Sequence, residues 1–386
     1  MGNAFRTKRL LLVISAIIIS VLCTVCLVAC GGDDKNGESR LQYSAIKDYK
    51  QNVIAYRVDG IGAEMDTDIV IPSNYKGKPV TMISNSAFSG RSDLTSVKIG
   101  NNVASIGHDA FFGCSSLTSI KIPNGVASIG DSTFYNCSSL TSIEIPNSVT
   151  SIGDSAFYNC SSLTSIEIPN GVTSIGDSAF YNCSSLTSIE IPNGVTSIGT
   201  EVFYNCSSLM SINISDSVTS IGEWAFVGTF YFNDISNWED GSLYIGNHLI
   251  KANSNVFDFY LIKYGTITIA DYAFRDGNLR SIVIPNSVTR IGDGTFYGCK
   301  SLSSIKMLDS ITSIGEQAFN GCIGLISIEI PNSVTSIEEG AFYGCVMLTS
   351  VQYNGTMEQW EKISKSGWNI HSSIKAVVCT DGTIEL

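Results

Sequence analysis

Cysteine is the residue type in this chain whose spacing most invites a chemical interpretation. Of the twelve cysteines, eight recur every 23 residues in two series, Cys114, Cys137, Cys160, Cys183 and Cys206, then Cys299, Cys322 and Cys345. If consecutive segments stack as strands about 4.8 Å apart, neighbouring cysteines come within disulfide range. However, series of five and three always leave one cysteine unpaired, and stacked equivalents point the same way. Buried free thiols that fill space are therefore favoured over disulfides.

Metal and catalytic chemistry find little support in the sequence. It contains no Cys-x-x-Cys pair or Cys/His cluster, so no metal site is expected. The histidines His108, His248 and His371 lie far apart, and the zinc-protease, P-loop, nucleophile-elbow and dinucleotide-binding motifs are absent. The sequence therefore predicts a protein that is not an enzyme, with no catalytic residue and no cofactor.

The elements that carry these residues repeat. Eleven phenylalanines mark the repeat, most of them 23 residues apart: Phe88, Phe111, Phe134, Phe157, Phe180, Phe203, Phe226, Phe274, Phe296, Phe319 and Phe342. A fixed period of this length is typical of a solenoid, in which each coil buries its apolar face against the next. A gap of 48 residues after Phe226 interrupts the period.

The clearest repeat unit runs from residue 140 to residue 160. Ile143 and Ile145 alternate with Glu144, which predicts a short strand with two isoleucines inward, and Pro146 ends that strand. Val149 and Ile152 predict a second short extended piece, and a single helical turn is expected to carry the phenylalanine and the cysteine. The fold class predicted is an α/β solenoid, rich in β-structure, built from 23-residue coils with short strands and one helical turn each.

The motif L-T-S-I-x-I-P-x-x-V-T-S-I-G-x-x-A-F-x-x-C, which recurs over residues 81–351, resembles the BspA-type leucine-rich repeat family. The flanking sequences 68–80 and 355–382 resemble the caps of that family. The resemblance implies a bacterial surface protein that attaches to host extracellular proteins or to other microbes. It brings no binding motif at the level of residues.

The N-terminal sequence predicts that the protein is exported from the cytoplasm. A basic start is followed by an uncharged apolar run that ends Leu27-Val28-Ala29-Cys30, typical of a secretory signal. This ending resembles a bacterial lipobox, which implies that Cys30 is lipidated with palmitate and anchors the protein in the membrane. The alternative is an uncleaved membrane helix, since the run is long enough to span a bilayer. Acidic residues directly after Cys30 resemble surface-export signals, which favours the outer membrane or cell surface.

The domain organisation predicted from these patterns has five parts. They are a lipoprotein signal peptide at 1–29, a flexible tether at 30–40, an N-terminal cap at 41–80, repeats at 81–351 with an irregular segment at 227–273, and a C-terminal cap at 352–386. Within the irregular segment, residues 243–250 predict a hairpin that replaces one coil. In the last part, residues 357–365 predict a short amphipathic helix that covers the final coil.

The outward face of the predicted strands is the candidate binding surface. Its side chains stack in two rows, Lys121, Glu144, Glu167, Glu190 and Asn213 in one, and Thr118, Thr141, Thr164 and Thr187 in the other. One interpretation is a strip that binds a basic protein surface or cations. The other is a solvated, charged face that prevents sheet aggregation. The tyrosines that follow the phenylalanines predict either an aromatic stripe that contacts sugars or proteins, or half-buried packing.

The net charge of the chain limits the classes of partner that are expected. The chain carries −12 at pH 7, and loss of Arg6, Lys8 and Arg9 with the signal takes this to −15. Such a surface repels phosphate backbones, so nucleic acid is not an expected partner. Extracellular or host proteins are expected, with glycans as a second class, and the chain is expected to be a monomer. The leading hypothesis is surface adhesion or protein binding, and the alternative is a non-catalytic envelope scaffold or spacer.

Overall fold

The computed structural model describes residues 41–61, 66–253 and 258–386. The predicted signal peptide, Cys30 and the tether up to residue 40 lie outside these residues. The described chain forms a β-solenoid of about 14 turns with coils of about 23 residues and little helix. Within the same ranges, no helix has the length and apolar character needed to cross a bilayer.

The first ladder of parallel strands comes from the Leu-Thr-Ser-Ile-x-Ile part of each coil. Each strand points one or two aliphatic side chains inward, and the residues between them face solvent, as the alternation in the sequence requires. Its strands are β6 (Ser96–Ile99), β8 (Ser119–Lys121), β10 (Ser142–Glu144), β13 (Ser188–Ile191), β15 (Ser211–Ile214), β20 (Phe259–Leu261), β22 (Ser281–Val283), β24 (Ser304–Lys306), β26 (Glu329–Ile330) and β28 (Ser350–Tyr353).

The second ladder comes from a dipeptide that ends in isoleucine, Ser-Ile in most coils, and that follows the first strand of each coil. Equivalent residues pair in register from coil to coil, as Ile152 does with Ile129 and Ile175. Its strands are β7 (Ser105–Ile106), β9 (Ser128–Ile129), β11 (Ser151–Ile152), β12 (Ser174–Ile175), β14 (Ser197–Ile198), β16 (Ser220–Ile221), β21 (Thr268–Ile269), β23 (Arg290–Ile291), β25 (Ser313–Ile314) and β27 (Ser336–Ile337).

The single helical turn expected in each coil is not confirmed, because this segment forms tight turns instead. In the coil that contains Phe134, both Ser132 and Asn136 have positive φ angles, 51° and 57°, which an α-helix does not allow. The amide of Phe134 donates to the carbonyl of Ala156 at 2.8 Å in the next coil. Backbone bonds between coils thus replace the bonds within a helix, because stacking supplies acceptors at every turn.

Stacked phenylalanines form the centre of the core. Neighbouring rings lie 5.2–5.5 Å apart from Phe88 to Phe226, and 5.3 Å apart from Phe274 to Phe342. All eleven rings are fully buried. The core divides into two clusters, and residues of the irregular segment contribute to both of them.

The irregular segment interrupts the strand pairing of both ladders. It contains α1 (Phe230–Asn233), a 3-10 helix (Ile235–Asn237), β17 (Trp238–Glu239), β18 (Ser242–Ile245) and β19 (His248–Ala252). The strands β18 and β19 form an antiparallel hairpin, and β19 pairs in parallel with β21. The amide of Asp271 donates to the carbonyl of Ile221 at 2.8 Å, so a backbone hydrogen bond still links the coils on the two sides of the insertion.

Both ends of the array are covered. At the N-terminal end lie β1 (Leu41–Lys47), β2 (Val53–Ile61), β3 (Asp68–Ile71), β4 (Asn74–Tyr75) and β5 (Lys78–Ile83). At the C-terminal end lie α2 (Met357–Glu361), β29 (Ala376–Cys379) and β30 (Gly382–Glu385). The helix α2 is shorter than the nine residues expected. Trp360 is buried and packs on Trp368, which in turn packs edge-on against Phe342.

Candidate binding surface

The two rows of candidate side chains lie on the solvent side of the first ladder. All nine residues are exposed. Strand pairing places Glu144 opposite Lys121 and Glu190 opposite Asn213. The structure therefore brings together on one face the residues that the sequence predicts to stack. We call this face, made by Thr118, Lys121, Thr141, Glu144, Thr164, Glu167, Thr187, Glu190 and Asn213, the ladder face.

The threonine row is tied to the backbone. The hydroxyl of Thr141 donates to the carbonyl of Thr118 at 3.1 Å, and those of Thr164 and Thr187 donate to the preceding threonine carbonyl at 3.4 and 3.5 Å. Each hydroxyl thus uses its hydrogen within the array and keeps its oxygen as an acceptor towards solvent. The row is a line of evenly spaced acceptors.

The charged row is acidic in its middle. The Lys121 ammonium lies 2.7 Å from the Glu144 carboxylate. Because the two side chains remain 71% and 67% exposed, the pair adds little stability, about 0–1 kcal/mol, but it neutralises that end of the row. No ion pair within the described part of the chain involves Glu167 or Glu190. The unbalanced negative charge of the ladder face therefore lies at these two glutamates.

Strand pairing is lost where the glutamates would be neighbours. Residues 165–167 form no strand, whereas β10 pairs with β8 and β13 pairs with β15. Ile166 is also only partly buried, although its equivalents Ile143 and Ile189 are buried. Like charges directly opposite each other weaken strand pairing. Repulsion of Glu167 by its neighbours therefore works against pairing at this gap. It is not the only cause of gaps, because β24 and β26 also do not pair with each other, although Lys306 and Glu329 carry opposite charges.

The cysteines form a buried thiol ladder, as expected, and all nine within the described ranges are free. The thiol of Cys160 donates to the carbonyl of Phe134 at 3.2 Å, and its equivalents repeat this bond to the phenylalanine 25 or 26 residues earlier. Burial raises the pKa of the thiols of Cys114, Cys299 and Cys345 to about 12. Such thiols are poor nucleophiles and poor metal ligands, so the ladder is structural.

The tyrosines stack on one another along the array. Centroids of Tyr135, Tyr158, Tyr181 and Tyr204 lie 4.5–5.0 Å apart with nearly parallel rings, and Phe112 extends the stack at 4.7 Å. Because neighbouring rings cover the flat faces, the tyrosines present only their edges to solvent. They therefore offer no flat platform for a sugar ring, and half-buried packing is the better description.

The three histidines stay apart, as their spacing predicts. His108 lies 3.2 Å from the Asp131 carboxylate, and the ring of His371 packs edge-on against Tyr343. His248 is fully buried in β19, and burial lowers its pKa. No group of three His, Cys, Asp or Glu side chains within the described ranges could hold a metal ion.

The sequence interpretation missed a cleft beside the irregular segment, lined by both charged and apolar side chains. The cleft has a volume of about 260 Å³ and lies between the β17–β18 turn and β20. Phe259 and Leu261, on β20, face solvent. A signal was present in the sequence, because the next two coils carry serine at the position of Phe259, and valine and then lysine at the position of Leu261.

Comparison with known proteins shows that the chain is similar to leucine-rich repeat proteins. A family model described as BspA type Leucine rich repeat region (6 copies) matches residues 81–186, 173–264 and 267–381. No curated protein matches the sequence.

Several solved structures are similar to the chain. A leucine-rich repeat protein from Bacteroides ovatus ATCC 8483 is 26% identical over 86% of this chain and 98% of its own, with a TM-score of 0.45. A leucine rich cell surface protein from Faecalibacterium prausnitzii A2-165 is 27% identical over 89% and 99%, with a TM-score of 0.40. The pneumococcal vaccine antigen PcpA is 19% identical over 86% and 90%, with a TM-score of 0.43. On the family match, which spans more than half of its residues, the chain belongs to the BspA-type leucine-rich repeat family.

Proposed function

We propose that the protein is a lipid-anchored protein of the cell surface whose repeat array binds other proteins outside the cell. The observation that carries this proposal is the ladder face, which holds two evenly spaced rows of exposed side chains on a rigid array. Solenoids commonly bind partners along such extended faces. Lipidation of Cys30 supplies the anchor, and attachment to host or microbial surfaces follows from binding at the ladder face.

The charge of the ladder face selects the partner. The row has unbalanced negative charge at Glu167 and Glu190, and the whole chain carries −12. A basic protein surface complements this charge, and the complementarity raises the association rate and disfavours acidic partners. Glycans remain a second class of ligand, since the threonine oxygens accept hydrogen bonds.

A non-catalytic envelope scaffold or spacer is the second candidate. It is favoured by the backbone hydrogen bond from Asp271 to Ile221, which links the coils on the two sides of the insertion. A spacer requires a stiff array but no specific binding surface. The two candidates therefore differ in whether changes confined to the ladder face have an effect.

Attachment of cells tests the proposal. Cells that carry a chain lacking residues 81–351, with the signal and Cys30 kept, should lose attachment to host cells. The double change Glu167→Lys with Glu190→Lys should reduce attachment at least tenfold. Glu361→Lys with Glu385→Lys, which makes the same charge change at exposed positions near the C-terminus, should leave attachment unchanged. Equal attachment by all four strains would reject binding and favour the spacer.

A further inference from the structure

His248 is a buried histidine whose ring makes no hydrogen bond. It is the first residue of β19, and none of its surface is exposed. Within the described ranges, neither of its ring nitrogens has a hydrogen-bond partner. A neutral imidazole carries one N–H donor and one acceptor nitrogen. Because an unpaired polar group in the interior costs free energy, such side chains are rare in folded proteins.

His248 lies where the hairpin of β18 and β19 rests on the coil that contains β15. The backbone carbonyls of Ile214 and Ser215 face its ring, although neither forms a hydrogen bond with it. Beside it, the Asn247 side-chain amide donates to the Asp216 carboxylate at 3.0 Å. The turn of the hairpin therefore sits against the last coil before the insertion, with the histidine ring enclosed between them.

The two hydrophobic clusters of the core meet at this hairpin. Leu243 belongs to the first cluster, and Leu249 belongs to the second. The bond from the Asp271 amide to the Ile221 carbonyl links the coils without involving the hairpin. Loosening of the hairpin would therefore weaken the contact between the two clusters but leave the two parts of the array connected.

The surroundings of the ring do not favour a positive charge. Burial lowers the pKa of His248, and the Asp216 carboxylate and the carbonyls of Ser215 and Ile214 oppose this effect only in part. The strands packed around it, β15, β18 and β21, carry no charged side chain. Lys251, in β19, donates instead to the Tyr272 carbonyl at 3.0 Å. The ring is therefore neutral when the hairpin is closed.

We propose that His248 makes the hairpin of β18 and β19 a pH-sensitive switch, which is closed at neutral pH and opens in acid. Burying a charge without a hydrogen-bonded partner is strongly unfavourable. Protonation therefore favours a hairpin that moves away from the coil of β15 and lets water reach the ring. The switch acts at the junction between the two clusters, and it does not depend on which partner the ladder face binds.

The direction of the pH effect follows from the two positions of the hairpin. In the open position His248 has the ordinary histidine pKa of 6.5, and in the closed position its pKa is lower. The closed position is fully favoured above pH 6.5, and this preference declines as the pH falls from 6.5 through the lowered pKa. Between pH 7.5 and pH 5.0 the open population should rise by up to about thirtyfold.

Hydrogen exchange of the purified protein at pH 7.5 and pH 5.0 tests the switch, with rates corrected for the pH dependence of exchange itself. Protection of the hairpin amides, residues 242–252, should fall by about threefold to thirtyfold at pH 5.0. Protection in the coil of residues 140–160 should change less than twofold. Equal protection of the hairpin at both pH values would overturn the proposal.

Matched variants assign the effect to one histidine. His248→Phe keeps a ring that cannot be protonated, so protection of its hairpin should differ less than twofold between the two pH values. His108→Gln removes an exposed histidine that lies 3.2 Å from the Asp131 carboxylate, and it should keep the full loss at pH 5.0. A loss at pH 5.0 that persists in His248→Phe would count against the switch.

A second measurement leaves His248 in place. The chain has three histidines, so the double change His108→Gln with His371→Gln makes His248 the only ring seen by NMR of the histidine carbon-bound protons. At pH 6.0 an exposed histidine is largely protonated, whereas His248 should be mostly neutral and should become charged as protection of the hairpin falls. A ring mostly protonated at pH 6.0 would overturn the proposal, even if His248→Phe does not fold.

Discussion

Reagents that attack thiols should fail on the folded array, although the protein is expected to work outside the cytoplasm. The perturbation is dithiobis(nitrobenzoate) at pH 8 added to a form that begins at residue 31, which keeps nine of the twelve cysteines. In the folded protein the thiols of Cys114, Cys299 and Cys345 have pKa values near 12, raised by burial from 9.0. The eight cysteines of the two 23-residue series should be protected, and Cys379, which is less deeply buried, should react first.

The magnitude follows from the pKa shift. Raising the pKa by three units lowers the thiolate fraction at pH 8 from about one in ten to about one in ten thousand. This corresponds to about 4 kcal/mol per thiol against ionisation. Cys114 also has no exposed surface, so reagent reaches it only when the coil opens. The thiols of Cys114, Cys299 and Cys345 should therefore react at least about a thousandfold more slowly than a free thiol.

Absorbance of the released thiolate measures both the rate and the count. All nine thiols should react at once when the protein is unfolded in guanidinium without reductant. Fast reaction of the ladder thiols in the folded protein would refute the burial argument. A count of fewer than nine thiols after unfolding would contradict the assignment of the cysteines as free thiols, because it would mean that neighbouring coils form disulfides in the secreted protein.

Three further predictions concern stability. Phe157→Ala removes a ring whose centroid lies 5.4 and 5.2 Å from those of its neighbours. Denaturant unfolding should show that the free energy of unfolding falls by about 3–5 kcal/mol. A loss below about 1 kcal/mol would contradict the stacked core. Glu167→Lys puts a cation between two glutamates and should stabilise the protein by about 0.2–1 kcal/mol per pair. Thermal unfolding should show that this stabilisation disappears in high salt. Equal stabilisation at all salt concentrations would contradict the charge explanation. Burial raises the pKa of Asp271 to about 6 from 3.8, so its stabilising contribution is present below about pH 4 and is lost as the pH rises through 6. Asp271→Asn loses the ion pair with Arg290, whose atoms lie 3.0 Å apart. The stability of the variant relative to the natural protein should nevertheless rise from pH 4 to pH 7, by up to about 3 kcal/mol. A constant difference across this range would contradict that pKa.

The period of the sequence was enough to predict the coil and its core. Phenylalanines 23 residues apart must superimpose in a stack of equal coils, and this stacking is what the structure has. The inward direction of Ile143 and the outward direction of Glu144 follow from alternation in the same way. The ladder face could be predicted for this reason, since strand register fixes which side chains are neighbours.

The turn that carries Phe157 could not be predicted in the same way. Its residues suit a helical turn, but every coil offers carbonyls to the next, and those acceptors favour an open turn with positive φ at Ser155 and Asn159. Long-range hydrogen bonds of this kind leave no local mark in the sequence. The tyrosine stack also depends on the exact approach of neighbouring coils, which the period does not give.

The cleft was missed because it depends on the end of one strand run and the start of another. The sequence predicts a hairpin in the irregular segment, but it does not indicate where the first ladder starts again after that hairpin. Phe259 and Leu261 can be read as core residues until β22 fixes their register. Departures from the repeat at outward positions are the signal to use in related arrays.

The most direct test of the central claim is protease shaving of intact cells that make the protein, with the array detected in the supernatant. The account predicts that fragments of residues 81–351 are released from intact cells, because the array stands outside the membrane that holds Cys30. Protection on intact cells, with cleavage only after permeabilisation, would contradict surface binding and leave an envelope scaffold as the better explanation.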